Sequence, residues 1–523
     1  MPLRPTLASL LPAILAAIAF LPALHAGITP EDWGWLALTR HLDDPSVVLR
    51  ENAFFTYFYR PVGIAFWWLT AQLFGADGVW HYAANLAVHA ANAALVAVLA
   101  NALARRGDDK PWVPGLAAGA VFACLPAGIG TAIWLSDRFD PLALLFGLAA
   151  LVTAERTLRR RSLRAGVATA ALALLALLSK EVAYAIAAAL VLRVIAHWIE
   201  TRERRWDVAA AAFAAPLAAL AMRIASGTGT QTSGTAIDPA AFLEGGTAWW
   251  RYALHALYGF RSASLGIFEI AFGVAIVVLV LVAAVVAWRR RDVRALRVAS
   301  IALVLVAVPS VLQAPIVRLA LANDAGVLSL NLRFYYLAAA GFALAVPFLL
   351  PAPRGLAARV PGVFVFALLI GVGLAQSRDL ASRWRDIYAA DSARVTRIGE
   401  ALAPQQFPAR CRIELAMPDY SDDVRTHIDT MVKAVAPRGS SLLRCAVFAG
   451  RPVYNTVVDA RDCDAPAWPG LRIAVANGHD LVDRFGNLCT LQFTEPDHRE
   501  TGPDIFHFSV DAQGRVGASE VTP

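Results

Sequence analysis

The stretch "LRAGVATAALALLALLSKEVAYAIAAALVLRVIAHWIETRERR", residues 163–205, decides the fold. Two apolar runs, 163–179 and 181–199, meet at the charged pair Lys180 and Glu181. Arg164 stands before the first run, and Arg202, Arg204 and Arg205 follow the second. A bilayer core is crossed by about 20 apolar residues in a helix. Basic residues collect in cytoplasmic loops. The stretch therefore reads as a transmembrane hairpin with its open end inside and its tight turn, at Lys180–Glu181, outside.

The same reading extends along the chain. Apolar runs at 7–26, 81–104, 112–133, 141–155, 163–179, 181–199, 206–225, 265–287, 298–319, 332–351 and 359–376 give eleven expected spans. With the N-terminus inside, the inner loops carry Arg105, Arg106 and Lys110, then Arg156 to Arg164, then Arg202 to Arg205, then Arg289 to Arg297, and last Arg354. The alternation accounts for the net charge of +7 without nucleic acid as a partner. Composition agrees: 58% of residues are hydrophobic and 17% are charged, against about 25% charged in soluble domains. Of the basic residues 44 are arginine and three are lysine, Lys110, Lys180 and Lys433, the skew of a GC-rich bacterial genome.

The first run reads as a retained signal anchor, since its apolar core is long and "ALHAG" is a poor cleavage site. Two Trp-rich apolar stretches, 60–75 and 241–260, read as interfacial. The fold class is thus a polytopic α-helical membrane protein. A membrane part over 1–376 leads into an amphipathic connecting helix over 377–404 and a small α+β domain over 405–523. In the last segment, short runs such as "CRIELAM", "CTLQFTE" and "IFHFSVD" alternate with turn signals at Asn477-Gly478 and Gln513-Gly514. An odd number of spans puts this domain outside. There Cys411, Cys445, Cys463 and Cys489 form two disulfides in one of three pairings. Their spacings of 34, 18 and 26 fit no zinc ribbon or finger.

Ionisable groups at membrane depth mark function by default. Glu31 and Asp32 follow the first span, in "GITPEDWGWLALTRHLDD", residues 27–44. The plainer reading is the start of a solvated loop, or a cap on an interfacial helix beginning near Trp33. Asp137, Arg138 and Asp140 share the outer loop "WLSDRFDPLALLFG", where a capping Asp and a local ion pair are the plainer reading. Lys180 can bind phosphate as a point charge, or simply pair with Glu181 at the hairpin turn. His81, Asn85, His89 and Asn92 fall on one helix face, suited to interhelical hydrogen bonds, with His81 nearest the outside. Tyr57, Tyr59 and Arg60 in "YFYRPVG", Arg333 in "NLRFYYLAAAGF" and Arg223 are further outer-face groups. An arginine there either holds a lipid phosphate or snorkels.

Taken in order, the acidic pair after the first span, "YRP", "WLSDRFDPLALL", "SKE" and "LRFYYLAAAGF" resemble the bacterial branch of the GT-C membrane glycosyltransferases. That is the superfamily of protein O-mannosyltransferases and aminoarabinose transferases, and the likeness is to the subgroup often followed by tetratricopeptide repeats. It spans roughly residues 1–390. The chain departs from the pattern in having Glu31-Asp32 for Asp-Asp, "RFYY" for "RYLY", and a Cys-containing domain instead of repeats. The resemblance implies transfer of a sugar from a polyprenyl-phosphate donor to a glycan, lipid or protein acceptor outside the membrane, with inversion. Asp32 would then be the general base with Glu31 beside it. Lys180, Arg138, Arg60 and Arg333 would face the donor phosphate, and Asp140, Tyr59, His81 and Glu181 would support them. Relatives differ in their use of a divalent metal, for which Glu31 and Asp140 would be the ligands here. The implied location is the bacterial inner membrane, with the C-terminal domain in the periplasm.

Three rival classes predict other features. An O-antigen-type ligase or polymerase has a large late outer loop, whereas the acidic loop here is early. A transporter or flippase of polyprenyl-linked glycans predicts inverted repeats and broken helices at mid-membrane, and the sequence shows no convincing repeat. A receptor with a periplasmic sensor has no use for eleven spans.

Overall fold

The computed structural model describes residues 3–50, 59–105, 112–227, 240, 243–246, 249, 293–314, 332–349, 360–450, 456–463, 468–469, 471–476, 479–493 and 502–518. Contacts gather the chain into two units. The first comprises Met1–Ala23, Ala83–Met222 and Gly234–Arg383; the second comprises Leu24–Tyr82, Arg223–Ser233 and Trp384–Pro523.

The described helices are α1 (Leu3–Phe20), α2 (Pro30–His41), α3 (Pro61–Phe74), α4 (Gly78–Ala104), α5 (Val113–Cys124), α6 (Ile129–Ala132) and α7 (Phe139–Arg159). They continue as α8 (Leu163–Ser179), α9 (Tyr184–Thr201), α10 (Trp206–Ala225), α11 (Val293–Leu312), α12 (Tyr336–Leu349), α13 (Val360–Leu402) and α14 (Asp422–Val435). Within the first unit α7 lies along α8, α11 packs on α9 and α12, and α5 packs on α1 and α12. The hairpin read from the sequence is α8 and α9. Ser162 caps α8, accepting the Ala165 N–H at 3.4 Å, and Lys180 leaves the helix in an extended conformation. Arg202 ends α9 in the left-handed region at φ 61°. Small residues allow the close packing that apolar solvent cannot drive. A Cβ on Gly147 of α7 would come within 2.6 Å of the Ile186 side chain on α9.

Residues from four of the arginine-rich loops meet at one end of this unit. Arg297 donates to Glu200 at 3.0 Å and to the Arg105 carbonyl at 2.9 Å. Arg161 pairs with Glu203 at 3.4 Å, and Arg205 donates to the Thr157 and Leu158 carbonyls. Near this end the buried Arg193 pairs with the buried Glu155. The turn holding Lys180 lies at the opposite ends of α8 and α9, as the alternation requires.

Among the described residues, four helical segments are long and apolar enough to cross a membrane: Gly78–Ala104, Leu135–Arg159, Glu181–Thr201 and Trp206–Ala225. Two bent helix pairs, Val113–Cys124 with Pro126–Ala132 among them, raise the number to six. The expected count of eleven is therefore not reached within the described residues. The run 265–287 and most of 241–260 lie outside them. Leu163–Ser179, Arg297–Leu312 and Leu332–Phe348 are shorter apolar helices, as is Pro61–Phe74. The run 359–376 and the expected connecting helix are one 43-residue helix, α13, because no proline interrupts the chain between Pro361 and Pro404.

The strands are β1 (Cys411–Ala416), β2 (Cys445–Phe448), β3 (Thr456–Asp459), β4 (Val475–Ala476), β5 (His479–Asp480), β6 (Val482–Phe485), β7 (Leu488–Leu491), β8 (Ile505–Val510) and β9 (Val516–Ala518). They form sheets ordered β2-β1-β8-β9, β3-β7-β6 and β4-β5. Strands β2 and β8 both run parallel to β1, and β9 returns antiparallel to β8 through Gly514 at φ 83°. The other expected turn, Asn477-Gly478, lies outside the described residues. Disulfides join Cys411 to Cys445 and Cys463 to Cys489. The first ties β1 to its neighbour β2. The second sits in a core with Phe448, Val458, Trp468, Leu491 and Phe493. Asp429 of α14 accepts the Val447 N–H at 2.8 Å and pairs with the fully buried Lys433 at 2.8 Å, which anchors the helix to β2.

Candidate functional site

In the second unit the acidic pair occupies the first turn of α2. Thr29 is extended and caps the helix, accepting the Asp32 N–H at 3.4 Å. Pro30 supplies a preset φ at the first helical position. Both carboxylates thus lie at the positive end of the helix dipole. Asp32 is fully buried and Glu31 is exposed.

The C-terminal residues of the same unit hold this helix. Arg40 donates to the Val435 carbonyl at 2.9 Å, and the His41 ring meets the Lys433 carbonyl at 2.9 Å. Arg438 donates to the carbonyls of Arg40 and Leu42 and to Gln72. Asn487 donates to the His41 carbonyl at 3.2 Å and to Asp43 at 3.0 Å. The loop before α2 runs against α13: Ile28 N–H donates to Ser392 at 3.2 Å. A Cβ on Gly27 would stand 2.0 Å from the Tyr388 carbonyl oxygen.

Beside this turn lies a cavity of about 250 Å³, whose lining includes Ile28, Pro30, Tyr388, Asp391, Ser421 and Asp423. Burial pushes the Tyr388 phenol up to about 12, with Asp423, Asp32 and Asp391 adding to the shift. His427 sits 3.4 Å from the Asp423 carboxylate. Burial opposes its charged form, but the hydrogen bonds it donates to Asp423 and the charges of Asp423 and Glu31 outweigh it and raise its pKa. Two carboxylates and a phenol thus line the cavity, while the charge of Asp32 acts on Tyr388 and that of Glu31 on His427. Such a set can accept protons and hydrogen-bond hydroxyl or amine groups.

The first unit holds the other charged group. Asp137 closes a short 3₁₀ turn, Leu135–Asp137, and Asp140 lies in the first turn of α7. Lys180 Nζ donates to Asp137 at 3.0 Å and also to Asp140. Arg138 is fully buried in the same loop. The Arg333 guanidinium lies 4.0 Å from the Trp134 ring centroid, close enough for a cation–π contact. A polar lattice supports this loop from α4 and α12. His89 and Asn92 both bond the Tyr336 hydroxyl, at 2.8 and 3.1 Å, and Asn92 also donates to the Pro141 carbonyl at 2.9 Å. Asn85 donates to the Thr131 carbonyl at 3.2 Å.

The remaining predicted residues lie apart from these clusters or serve local structure. Tyr59 donates its hydroxyl to the Leu49 carbonyl at 2.7 Å. The His81 ring meets the Gly75 carbonyl at 2.9 Å. Arg60 takes the N-cap position of α3, Glu181 opens a 3₁₀ turn, and Tyr57 lies outside the described residues. Asp391, Asp423, Tyr388 and His427 were not foreseen. They follow Asp32 by more than 350 residues, and an exposed-looking helix gives no signal of what it packs against. Among the described residues no three His, Cys, Asp or Glu side chains converge as a metal site. Glu31 and Asp140, the expected ligands, belong to different units.

No family model and no curated protein match the sequence. Among solved structures, the fold is similar to an oligosaccharyltransferase from Archaeoglobus fulgidus in complex with Zn and sulfate, with TM-score 0.46 and 12% identity over 83% of this chain. The chain spans 62% of the length of that protein. It is also similar to ArnT from Cupriavidus metallidurans bound to undecaprenyl phosphate, with TM-score 0.40 and 13% identity over 92% of this chain and 96% of that one. The apo state of that ArnT gives TM-score 0.39 at the same identity and coverage.

Proposed function

We propose that this chain is a membrane glycosyltransferase that moves a sugar from a polyprenyl-phosphate donor to an acceptor hydroxyl or amine outside the membrane. The observation that supports it most is Asp32: a fully buried carboxylate at a helix N-terminus, beside a cavity lined by Tyr388, Asp391 and Asp423. Asp32 takes the acceptor proton as the acceptor atom attacks the anomeric carbon. The bond from that carbon to the phosphate oxygen breaks, and its electron pair leaves with the phosphate. Attack opposite the leaving group inverts the anomeric centre. Glu31 and Asp423 keep the surroundings of the base negative, and Tyr388 and Ser421 offer hydrogen bonds to the acceptor.

Charge builds on the departing phosphate, where cations stabilise the transition state. Arg138, Arg333, Arg60 and Lys180 are the groups proposed for that task, with Lys180 fixed in place by Asp137 and Asp140. Eleven spans, an inner-membrane location and a periplasmic C-terminal domain complete the proposal. The two disulfides support an oxidising compartment for that domain.

The test uses the full chain in detergent with radiolabelled polyprenyl-phosphate sugars and envelope extracts as acceptor. Transfer of label with release of polyprenyl phosphate is expected. Asp32→Asn should lower kcat by about 10²–10⁴-fold with little change in KM for the donor. Full activity of Asp32→Asn overturns the base, and a lack of transfer from every polyprenyl-phosphate sugar overturns the class.

A further inference from the structure

The basic end of the first unit carries a groove that none of the chemistry above uses. It lies between the end of α9 and the start of α10, in the stretch "VIAHWIETRERRWDVA", residues 194–209. Its volume is about 200 Å³, and its walls are Val194, Ile195 and Trp198 on one side and Trp206 and Ala209 on the other, with Arg204 and Arg205 between them. Both indoles are open to the surroundings, Trp198 at 43% and Trp206 at 70% exposure. Further along α10, Phe213 and Leu217 are exposed as well, as expected of a helix face turned to hydrocarbon.

The arginines here are not equivalent. Arg205 is buried and committed: it donates to the Thr157 and Leu158 carbonyls and pairs with Asp207 at 2.7 Å. Glu203 is taken by Arg161. Arg202 lies 5.8 Å from the Trp198 ring centroid. Arg204 is exposed and forms no hydrogen bond or ion pair with the described residues. Arg204 therefore lines an apolar slot framed by two tryptophans, Arg202 lies beside the Trp198 wall, and neither is in an ion pair with a carboxylate among the described residues. Tryptophan belts lie at the headgroup level, and basic pockets between helices on the cytoplasmic side suit anionic headgroups.

We propose that this groove is a binding site for an anionic phospholipid of the inner leaflet. Its phosphate lies against Arg204 and Arg202, and one acyl chain lies between Val194, Ile195 and Ala209. The site fixes the α9–α10 hairpin at the end where Arg205 already ties it to α7. It shares no residue with the sugar-transfer proposal, and its placement in the inner leaflet rests on the orientation proposed there.

Native mass spectrometry of the detergent-purified full chain tests this, with added phosphatidylglycerol or phosphatidylcholine of the same acyl chains. Wild type should retain phosphatidylglycerol about tenfold better than phosphatidylcholine. The double variant Arg202→Ala/Arg204→Ala should retain the two lipids equally, and Trp206→Ala should weaken both. The arginines are exposed, so the double variant should melt as wild type does. Equal retention of both lipids by wild type overturns the proposal, as does undiminished phosphatidylglycerol retention in the double variant. Displacement by inorganic phosphate as effective as that by phosphatidylglycerol also overturns it, since it marks a free-anion site.

Discussion

Lys180 donates its ammonium to the Asp137 carboxylate at 3.0 Å, joining the turn of the α8–α9 hairpin to the loop before α7. Asp140 accepts from the same nitrogen. Both carboxylates are almost fully buried. Breaking a buried ion pair by deleting one partner is far more damaging than replacing the whole set. Lys180→Met should therefore lower stability by about 3–5 kcal/mol, read as an earlier melt in detergent. The triple variant Lys180→Met/Asp137→Asn/Asp140→Asn should recover much of that loss. If Lys180→Met melts with wild type, the cluster does not hold the loop.

Gly27 occupies a position where no side chain fits. A Cβ there would meet the Tyr388 carbonyl oxygen at 2.0 Å and its carbonyl carbon at 2.4 Å, both backbone atoms of a long helix that cannot swing aside. Gly27→Ala should cost about 1–3 kcal/mol and displace the loop that carries the acidic turn. The expected result is an earlier melt together with loss of the Ile28–Ser392 hydrogen bond, seen as faster amide exchange at Ile28. Unchanged exchange and melting would show that the two backbones do not approach.

The elements legible in the sequence are those whose signal is local. The α8–α9 hairpin, the gathering of arginines at one end and the short strands β1, β7 and β8 each follow from periodicity and flanking charge. Two disulfides in the last quarter were legible too, but not their pairing. The register that sets Cys411 opposite Cys445 depends on β1 and β2 being parallel neighbours. Contacts across nearly 400 residues left no trace. Nothing in "EDWGWLALTRH" names Lys433 or Val435 as partners, so the cavity beside Asp32 was invisible. Lys433 stands in the sequence only as one of three lysines. Its pairing with Asp429 at i and i+4 became meaningful only once α14 was seen buried on both sides.

The disulfide between Cys411 and Cys445 closes a separation of 34 residues. A loop of that size loses enough chain entropy in the unfolded state to contribute roughly 3–4 kcal/mol. Cys411→Ala/Cys445→Ala should accordingly unfold the C-terminal sheets at a lower temperature, with a smaller effect on the helices of the first unit. Alkylation of wild type before and after reduction should show one free thiol, Cys124, becoming five. Four further thiols reactive without reduction would remove both pairings.

His427 gives the second unit a pH dependence whose sign is fixed by its neighbours. Its pKa is raised above the ordinary 6.5 because hydrogen bonds to Asp423 and the charges of Asp423 and Glu31 outweigh the opposing effect of burial. The charged imidazolium is therefore favoured by folding. That contribution is complete below about 6.5 and is lost as pH rises through the raised folded value. His427→Asn removes it, so the difference in melting temperature between wild type and variant should be larger near pH 5.5 than near pH 8.5. Asp423→Asn should erase most of the same difference by removing the principal partner, while Glu31→Gln should erase a smaller part. Because Glu31 borders Asp32, the Glu31→Gln result also reports whether the acidic turn of α2 and the first turn of α14 share one electrostatic environment. A melting difference that is flat with pH would show that they do not.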